Sequence, residues 1–171
     1  MKVKIQRSDE EINSISGISL IGGLLNKLKY MKKVDSMQMA KVKKGIIKHS
    51  AILKSTAALF ALGKNDYADI EPFRNDSFFC DSLQLNQVAS EATLRQRLDI
   101  LACNPEVIEF VLKDNIEMLK KVDCFGTEKT EYGEYIPLDI DVSPLDNSGS
   151  SKEGVSWTYK KHDGYAPIFA Y

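Results

Sequence analysis

The chain has 171 residues, of which 43% are hydrophobic and 27% are charged, a composition typical of soluble globular proteins and sufficient for one ordinary domain or two small ones. It contains no apolar run of about 18 residues and no signal-peptide pattern, so we expect a cytoplasmic protein without membrane contact. The net charge of −1 hides an asymmetry, because residues 1–56 carry 12 Lys or Arg against 4 Asp or Glu. This basic part is a candidate for phosphate contacts, although lysine-rich helices are often simply solvated.

Helical periodicity dominates the first part of the chain. Residues 15–28 have apolar side chains on one face, although the glycines at positions 17, 22 and 23 weaken the pattern. Residues 36–62 predict one long amphipathic helix that ends at Gly63. Its predicted apolar face consists of Val42, Ile46, His49, Leu53, Ala57 and Phe60. His49 has no second His or Cys at metal-ligand spacing, so we interpret it as a core or boundary residue.

Three further helical segments follow. Residues 65–85 predict one or two short helices, whose acidic side chains serve as caps and in turns. Ser90 is predicted to cap a helix that ends near Ala102. Asn104, Pro105 and Glu106 are typical of a helix start, and that helix should run to about Val122. Its predicted buried stripe is Ile108, Leu112, Ile116 and Leu119.

The three cysteines, Cys80, Cys103 and Cys124, are odd in number and more than 20 residues apart. This spacing indicates neither a disulfide framework nor a zinc knuckle, so we expect free thiols. Cys103 lies in an apolar helical stretch and is predicted to pack in the core.

A strand pattern begins after a polar connector at residues 126–134. Apolar residues alternate with polar ones from Ile136 to Val142, which is typical of a strand with one buried face. Asp139 and Asp141 therefore share a face, roughly 6 to 7 Å apart, where both carboxylates could help to hold a divalent cation. The alternative is that an Asp near a strand end serves a turn.

Four short motifs follow in order: Asp-Val-Ser at 141–143, Leu-Asp-Asn at 145–147, Lys-Glu-Gly at 152–154 and Gly-Tyr-x-Pro at 164–167. This order resembles the DDE transposases of bacterial insertion sequences. The resemblance implies an RNase H-like catalytic domain, in which a first strand carries the first catalytic Asp, a hairpin follows, and a Gly-Tyr-containing strand enters the sheet. The implied fold is a mostly α N-terminal region followed by the start, two antiparallel strands, of a truncated α/β RNase H-like domain.

The resemblance also assigns site residues. Asp141 matches the family's first metal-binding Asp, because the family usually places Ser or Thr two residues later and Ser143 fits; Asp139 is the alternative. The implied reaction is two-metal phosphoryl transfer, with Mg²⁺ or Mn²⁺ ions roughly 3.5 to 4 Å apart. Asp146 is a third candidate, and it is interpreted as a turn residue beside Asn147. The family's second Asp and its Glu are expected beyond residue 171, so we expect the chain to be inactive alone.

The resemblance divides the chain into a helical, DNA-binding domain at 1–124 and the beginning of the catalytic domain at 125–171. A Ser-x-x-Thr-Leu segment at 90–94 is similar to one that precedes a polar helix in the DNA-binding region of such transposases. We therefore expect Arg95, Gln96 and Arg97 to contact DNA, although an ordinary surface helix would also explain them. Trp157, Tyr159 and Tyr165 are predicted to pack the hairpin rather than to stack on bases.

The implied function is that of the N-terminal part of a transposase, whose DNA partner is the terminal inverted repeats and which can form a homo-oligomer. A non-catalytic DNA-binding fragment that inhibits transposition is the alternative, and a decayed remnant without activity is a third reading. No Gly-rich phosphate loop, HExxH motif or GxSxG motif favours a different enzyme class.

Overall fold

The computed structural model describes residues 7, 9, 13–39, 42, 47–121 and 126–170. The chain divides into two compact units, Met1–Lys121 and Val122–Tyr171. In the described residues, the helices precede residue 122 and the strands follow it. This order confirms the predicted mostly α region followed by antiparallel strands, while the functional roles assigned to the two regions remain predictions.

Six α-helices and one 3₁₀ helix form the described part of the first unit. They are α1 (Ile18–Leu25), α2 (Lys29–Ser36), α3 (His49–Ala61), the 3₁₀ helix (Tyr67–Phe73), α4 (Ser77–Leu83), α5 (Glu91–Ala102) and α6 (Pro105–Lys121). None of these helices combines the length and the apolar character that crossing a membrane requires.

The predicted caps are present at several helix ends. Asp66 forms a capping box with Asp69 at the start of the 3₁₀ helix, and Asp76 accepts the Phe79 N–H at 2.9 Å. Ser90 caps α5 by accepting the Thr93 N–H. The acidic run at 65–85 therefore caps helices in part, as the sequence predicted.

Gly63 ends α3 as predicted. Its φ of 69° is in the left-handed region, which a glycine adopts without a Cβ clash. The Gly63 N–H donates to the Phe60 carbonyl at 3.0 Å, and the Lys64 N–H donates to the Leu59 carbonyl at 2.9 Å. These two bonds form a Schellman motif and satisfy carbonyls at the helix end.

The predicted long helix over residues 36–62 is wrong. The helix α2 ends at Ser36, Met37 has extended backbone angles, and α3 begins only at His49. The carboxylate of Asp35 explains this start, because it accepts the Ser50 N–H at 2.7 Å and the Ser50 hydroxyl at 2.6 Å.

The predicted apolar face of α3 is also shifted. Phe60 is largely exposed, whereas Ile52, Ser55 and Leu59 are buried. His49 is buried, as predicted, and Ile46 lies outside the described residues.

The core of the first unit brings α1, α3, α4 and α5 together around Phe79, Ile52, Leu83 and Leu94, all of which are fully buried. Lys54 is buried beside this core, and its ammonium donates to the Asn26 side chain and to the Leu83 carbonyl. Burial lowers the pKa of Lys54, while the nearby Asp35 opposes that shift. The hydrogen bonds from the ammonium compensate part of the cost of burying it.

The buried stripe predicted for α6 is wrong. Ile108, Leu112 and Ile116 are about half exposed and Leu119 is 37% exposed, whereas Val107 is the buried residue of this helix. Two contacts with α2 set the rotation of α6: the Tyr30 N–H donates to Asp114 at 2.7 Å, and the Lys33 ammonium lies 3.4 Å from the centre of the Phe110 ring.

Cys80 and Cys103 are free thiols, as predicted, but Cys103 is exposed rather than packed in the core. It follows the last residue of α5 and therefore lies beyond the buried face of that helix. Cys124 is outside the described residues.

The described part of the second unit contains seven short strands in three antiparallel sheets. They are β1 (Glu128–Thr130), β2 (Gly133–Tyr135), β3 (Ile140–Val142), β4 (Leu145–Asp146), β5 (Ser156–Trp157), β6 (Asp163–Tyr165) and β7 (Ile168–Ala170). The sheets are β1–β2, β3–β7 and β4–β6–β5. The predicted pair of antiparallel strands corresponds in part to β3 and β7, but the first strand is shorter than predicted and begins at Ile140 rather than Ile136. The Gly-Tyr dipeptide, which was expected in the strand that follows the hairpin into the same sheet, lies instead in β6, which pairs with β4 and β5. The predicted connector contains the β1–β2 hairpin.

Alanine substitutions at Gly22 and Gly23 test how closely α1 packs against α4. A Cβ at Gly22 would overlap the Ser82 carbonyl oxygen, whereas a Cβ at Gly23 would meet no atom within 4 Å. We expect Gly22→Ala to lower the free energy of unfolding by about 1–3 kcal/mol, because the two helices must separate. Gly23→Ala should raise it by about 0.5–1 kcal/mol, because alanine favours the helix. Urea unfolding of both variants measures this difference, and equal effects at the two positions would contradict the packing.

Candidate active site

The strand β3 carries Asp141 at its centre. The strand pairs with β7 so that Asp141 lies opposite Phe169, and the Ser143 N–H extends the pairing by donating to the Pro167 carbonyl at 3.1 Å. The Asp141 side chain is exposed. An exposed carboxylate on a paired strand has a fixed backbone and remains accessible to a metal ion.

Ser143 orients this carboxylate directly. Its hydroxyl donates to Asp141 Oδ2 at 3.0 Å, so the serine that follows the aspartate by two residues is its hydrogen-bond partner. Asp139 is also exposed, but it precedes the first residue of β3. Of the two candidate aspartates, Asp141 thus lies within the paired strand and is bonded to Ser143.

The Gly-Tyr-x-Pro motif at residues 164–167 lies in β6 and in the link from β6 to β7, the strand that pairs with β3. Gly164 in β6 lies so close to β4 that a Cβ there would overlap the Leu145 carbonyl oxygen. The Tyr165 hydroxyl donates to the Glu153 carbonyl at 2.7 Å, and Pro167 supplies the carbonyl that accepts the Ser143 N–H. Gly164 and Tyr165 therefore hold β6 against β4 and the loop at Glu153, and Pro167 contacts the residue that follows β3.

Asp146 serves a turn, as its position beside Asn147 predicted. Its Oδ1 accepts the Ser148 N–H at 2.8 Å, and His162 Nδ1 lies 3.9 Å away. Hydrogen bonds from the Ser148 side chain and backbone hold the pKa of Asp146 below its usual value, and His162 contributes a smaller effect in the same direction.

Tyr159 contacts β3 in a way that the sequence did not signal. Its hydroxyl donates to the Val142 carbonyl, next to Asp141, at 3.0 Å, while its ring is 62% exposed. Trp157 is 69% exposed, so the prediction that it packs the hairpin is wrong. Because Tyr159 and Val142 are 17 residues apart, no short-range sequence pattern predicts this contact.

The three predicted DNA-binding residues do not share one environment. Arg95 and Gln96 are exposed on α5. Arg97 is half-buried and points inward, where its Nη2 donates to the Ile47 carbonyl at 3.3 Å and to His49 Nδ1 at 3.0 Å. Its Nε is buried without a hydrogen-bond partner among the described residues.

Burial lowers the pKa values of both Arg97 and His49. The positive charge of Arg97 lowers the pKa of His49 further, and Asp35 opposes the shift in both groups. A lowered pKa favours the neutral imidazole, which is the form that can accept a hydrogen bond from Arg97.

The match to a known protein family covers both units. A family model described as transposase DDE domain group 1 matches residues 1–171. The chain belongs to the DDE transposases. No curated protein and no solved structure matches it. The match includes the helical unit, where the sequence offered fewer specific motifs.

DDE transposases generally use divalent metal ions. The exposed carboxylate oxygens of Asp141 are hard ligands of the kind that Mg²⁺ and Mn²⁺ prefer. Within the described ranges, however, no group of three or more His, Cys, Asp or Glu could hold a metal ion. Asp141 therefore fits as one ligand, and the described residues do not form a complete two-metal site.

The titration of the Asp146 carboxyl tests whether this side chain accepts the hydrogen bonds of the turn. We expect its NMR titration midpoint to lie below the ordinary Asp value of about 3.9. Since the folded-state pKa is depressed, the stability that this carboxylate contributes is present above its unfolded pKa and is lost as the pH falls through the folded pKa. Ser148→Ala should move the midpoint upward because it removes the side-chain bond.

The matched control for this titration is Ser150→Ala, which removes a neighbouring hydroxyl and should leave the Asp146 midpoint unchanged. A midpoint in the original chain at or above the ordinary value would contradict the turn geometry.

Proposed function

We propose that this chain is the N-terminal part of a DNA transposase, which in its full-length form binds transposon ends and catalyses metal-dependent strand cleavage and transfer. The observation that supports this most is the Asp141 carboxylate, which is exposed on β3 and bonded to Ser143, in a chain that the transposase family covers throughout. In this proposal, the second unit is the beginning of the catalytic domain.

The proposed chemistry assigns one metal ligand to this chain. Bound divalent ions would activate water or a 3′-hydroxyl and stabilise the leaving oxygen. Asp141 would supply a carboxylate oxygen to that site. Because Ser143 occupies a lone pair of Oδ2, Oδ1 is the oxygen with more free acceptor capacity. The other two carboxylates of the site are placed, in this proposal, outside the described residues.

The helical unit is the proposed DNA-binding part. Arg95 and Gln96 are exposed side chains that suit phosphate or guanine contacts and adenine contacts, respectively. Arg97 takes a different role in this proposal, because its guanidinium is engaged by Ile47 and His49. It would support the start of α3 rather than contact DNA.

A second candidate function is a regulatory one. In this alternative, the chain occupies transposon ends through the exposed Arg95 and Gln96 without cutting them. The two functions differ in one readout, since the regulatory chain would inhibit cleavage by the full-length transposase when the two are mixed.

Replacement of Asp141 tests the catalytic assignment in the full-length protein. We expect Asp141→Asn to reduce Mg²⁺- or Mn²⁺-dependent cleavage of transposon-end DNA by about a hundredfold or more, because an amide oxygen is a weaker ligand than a carboxylate. Binding to the same DNA should remain within about twofold, because the side chain keeps its shape.

Asp139→Asn is the matched control, since it makes the same chemical change two residues earlier. It should leave cleavage nearly unchanged. Normal cleavage by Asp141→Asn, or loss of cleavage by Asp139→Asn alone, would contradict the assignment.

The α5 residues are tested by DNA binding. We expect Arg95→Ala to weaken binding to transposon-end DNA and to lower the slope of log affinity against log salt concentration by about 1 if Arg95 contacts a phosphate. Lys64→Ala removes one positive charge from a turn outside α5 and should change the affinity little. A mobility-shift series across salt concentrations measures both variants.

The Arg97→Ala variant distinguishes a structural role of Arg97 from a direct contact with DNA. It should lower the free energy of unfolding by about 1 kcal/mol, because the Ile47 carbonyl and His49 lose their donor. A variant of unchanged stability with much weaker DNA binding would instead make Arg97 a DNA contact.

A further inference from the structure

The chain between β5 and β6 forms a short hairpin loop that its own hydrogen bonds hold in place. The Thr158 N–H and hydroxyl both donate to the His162 carbonyl at 2.9 Å, and the Lys161 N–H donates to the Thr158 carbonyl at 3.0 Å. Lys161 has a φ of 65°, in the left-handed region, as in hairpins whose loops have three residues. We define residues 157–162 as the hairpin tip.

Two aromatic side chains of the hairpin tip are exposed. Trp157 is 69% exposed and Tyr159 is 62% exposed, although aromatic rings are among the side chains that gain most from burial. The β4–β6–β5 sheet therefore leaves both rings available to a ligand. Exposed aromatic rings in a polar segment are typical of surfaces that stack on the bases of an unpaired nucleic-acid strand.

Positive charges accompany the two rings. Lys160 and Lys161 are exposed, and the Lys160 ammonium lies 5.6 Å from the centre of the Tyr159 ring. Among the residues that the structure describes, neither lysine forms a salt bridge with a carboxylate. A stacking surface beside uncompensated cations complements a strand of bases and phosphates better than it complements an apolar protein surface.

The acidic neighbours of the hairpin tip lie toward its strands. Asp163 is the first residue of β6 and lies opposite Trp157, and Asp146 Oδ1 lies 3.9 Å from His162 Nδ1. The nearest printed partner of Asp146 in the tip is thus the histidine and not a lysine. The positive charge is therefore concentrated at the loop itself, which is the part that projects from the sheet.

A hydrogen bond connects the hairpin tip to the strand of the candidate metal ligand. The Tyr159 hydroxyl donates to the Val142 carbonyl at 3.0 Å, and Val142 directly follows Asp141 in β3. The same side chain is thus anchored at its hydroxyl while most of its surface stays exposed. The tip therefore lies beside the part of β3 to which the proposed function assigns metal binding.

We propose that the hairpin tip binds an unpaired strand of the DNA substrate and holds it beside Asp141. Trp157 and Tyr159 stack on bases of that strand, and Lys160 and Lys161 bind its phosphates. The inference rests on the proposed function for the identity of the substrate, and it adds the residues that position the strand. Duplex DNA keeps the faces of its bases stacked on one another, so it offers only phosphates to this tip.

The fluorescence of Trp157 measures this contact directly, because the chain has only one tryptophan. In the full chain, oligothymidylate of about sixteen nucleotides should quench the Trp157 emission with a saturating curve. The same strand paired with oligodeoxyadenylate, kept below its melting temperature, should quench it much less. The titration contains EDTA, so metal binding and cleavage take no part in the result.

Charge variants test the phosphate contacts. Lys160→Gln together with Lys161→Gln should weaken the binding seen by Trp157 about tenfold. It should also lower the slope of log affinity against log salt concentration by about 1.4, because two contacts with a single strand are lost. The matched control is Lys129→Gln together with Lys152→Gln, which removes the same charge elsewhere in the second unit. The control should stay within about twofold of the original affinity.

Variants of Tyr159 test stacking with the same readout. Tyr159→Ala should weaken the binding seen by Trp157 about tenfold, because one stacking surface is lost. Tyr159→Phe keeps the ring and loses only the bond to the Val142 carbonyl, so its affinity should stay within about threefold. Far-UV circular dichroism checks that each variant folds.

A nitroxide on the oligonucleotide tests the position of the strand. With the label placed at each end in turn, at least one end should broaden the amide signals of residues 140–143 as well as those of residues 157–162. Broadening confined to residues 157–162 would overturn the placement beside Asp141.

Four other results would overturn the proposal. They are an oligonucleotide that does not quench Trp157, equal quenching by the duplex, a control lysine pair that matters as much as the pair in the tip, and a Trp157 that is shielded from acrylamide in the free chain. The last result would show that another segment covers the ring.

Failure of this inference is distinguishable from failure of the proposed catalysis. If cleavage by the full-length protein depends on Asp141 but Trp157 is not quenched, the strand contact alone is refuted. If Trp157 is quenched as predicted but cleavage does not depend on Asp141, the catalytic assignment is refuted and the strand contact is supported.

Discussion

The pairing of β3 with β7 determines the position of the residue on which the catalytic proposal depends. The two strands hold the backbone on both sides of Asp141, and the Ser143 N–H anchors the end of β3 to Pro167. The Ser143 hydroxyl then fixes one oxygen of the Asp141 carboxylate. The Ser143 N–H therefore anchors the strand pair, and the Ser143 hydroxyl orients the candidate metal ligand.

Residues near this strand pair, some of them from the sequence motifs, make contacts that hold the surrounding chain in place. Gly164 permits the close approach of β6 to β4, and Tyr165 ties β6 to the loop at Glu153. Tyr159 adds a hydrogen bond to the Val142 carbonyl. In the structure, the Gly-Tyr-x-Pro motif thus places β6 beside β4 and the loop at Glu153, and its Pro167 accepts the Ser143 N–H next to β3.

Local signals in the sequence predicted local structure well. The caps at Asp66 and Ser90 and the helix end at Gly63 involve residues at most five apart, so the interacting atoms are neighbours in the chain. The alternation around Asp141 likewise predicted a strand, and the serine two residues later is the hydrogen-bond partner of Asp141 in the structure. The strand begins at Ile140 rather than at Ile136, and Ile140 lies opposite Ala170, the last residue of β7.

The features that the sequence did not predict depend on contacts between residues far apart in the chain. The start of α3 depends on Asp35, 15 residues before Ser50, and the rotation of α6 depends on the bond from Tyr30 to Asp114, 84 residues away. Arg97 likewise contacts the Ile47 carbonyl and His49, about 50 residues earlier in the chain, and its sequence neighbours do not indicate these contacts. Periodicity shows that a helix has an apolar face, but the partner that this face meets is set by the tertiary structure.

The central claim is that the Asp141 carboxylate binds a divalent ion, and paramagnetic broadening by Mn²⁺ tests it most directly. In NMR spectra of the full chain, Mn²⁺ should first broaden the Asp141 carboxyl signal and the amide signals of residues 140–143, and Asp141→Asn should remove this effect. Broadening that centres on Asp139 or Asp146, and that persists in Asp141→Asn, would contradict the account.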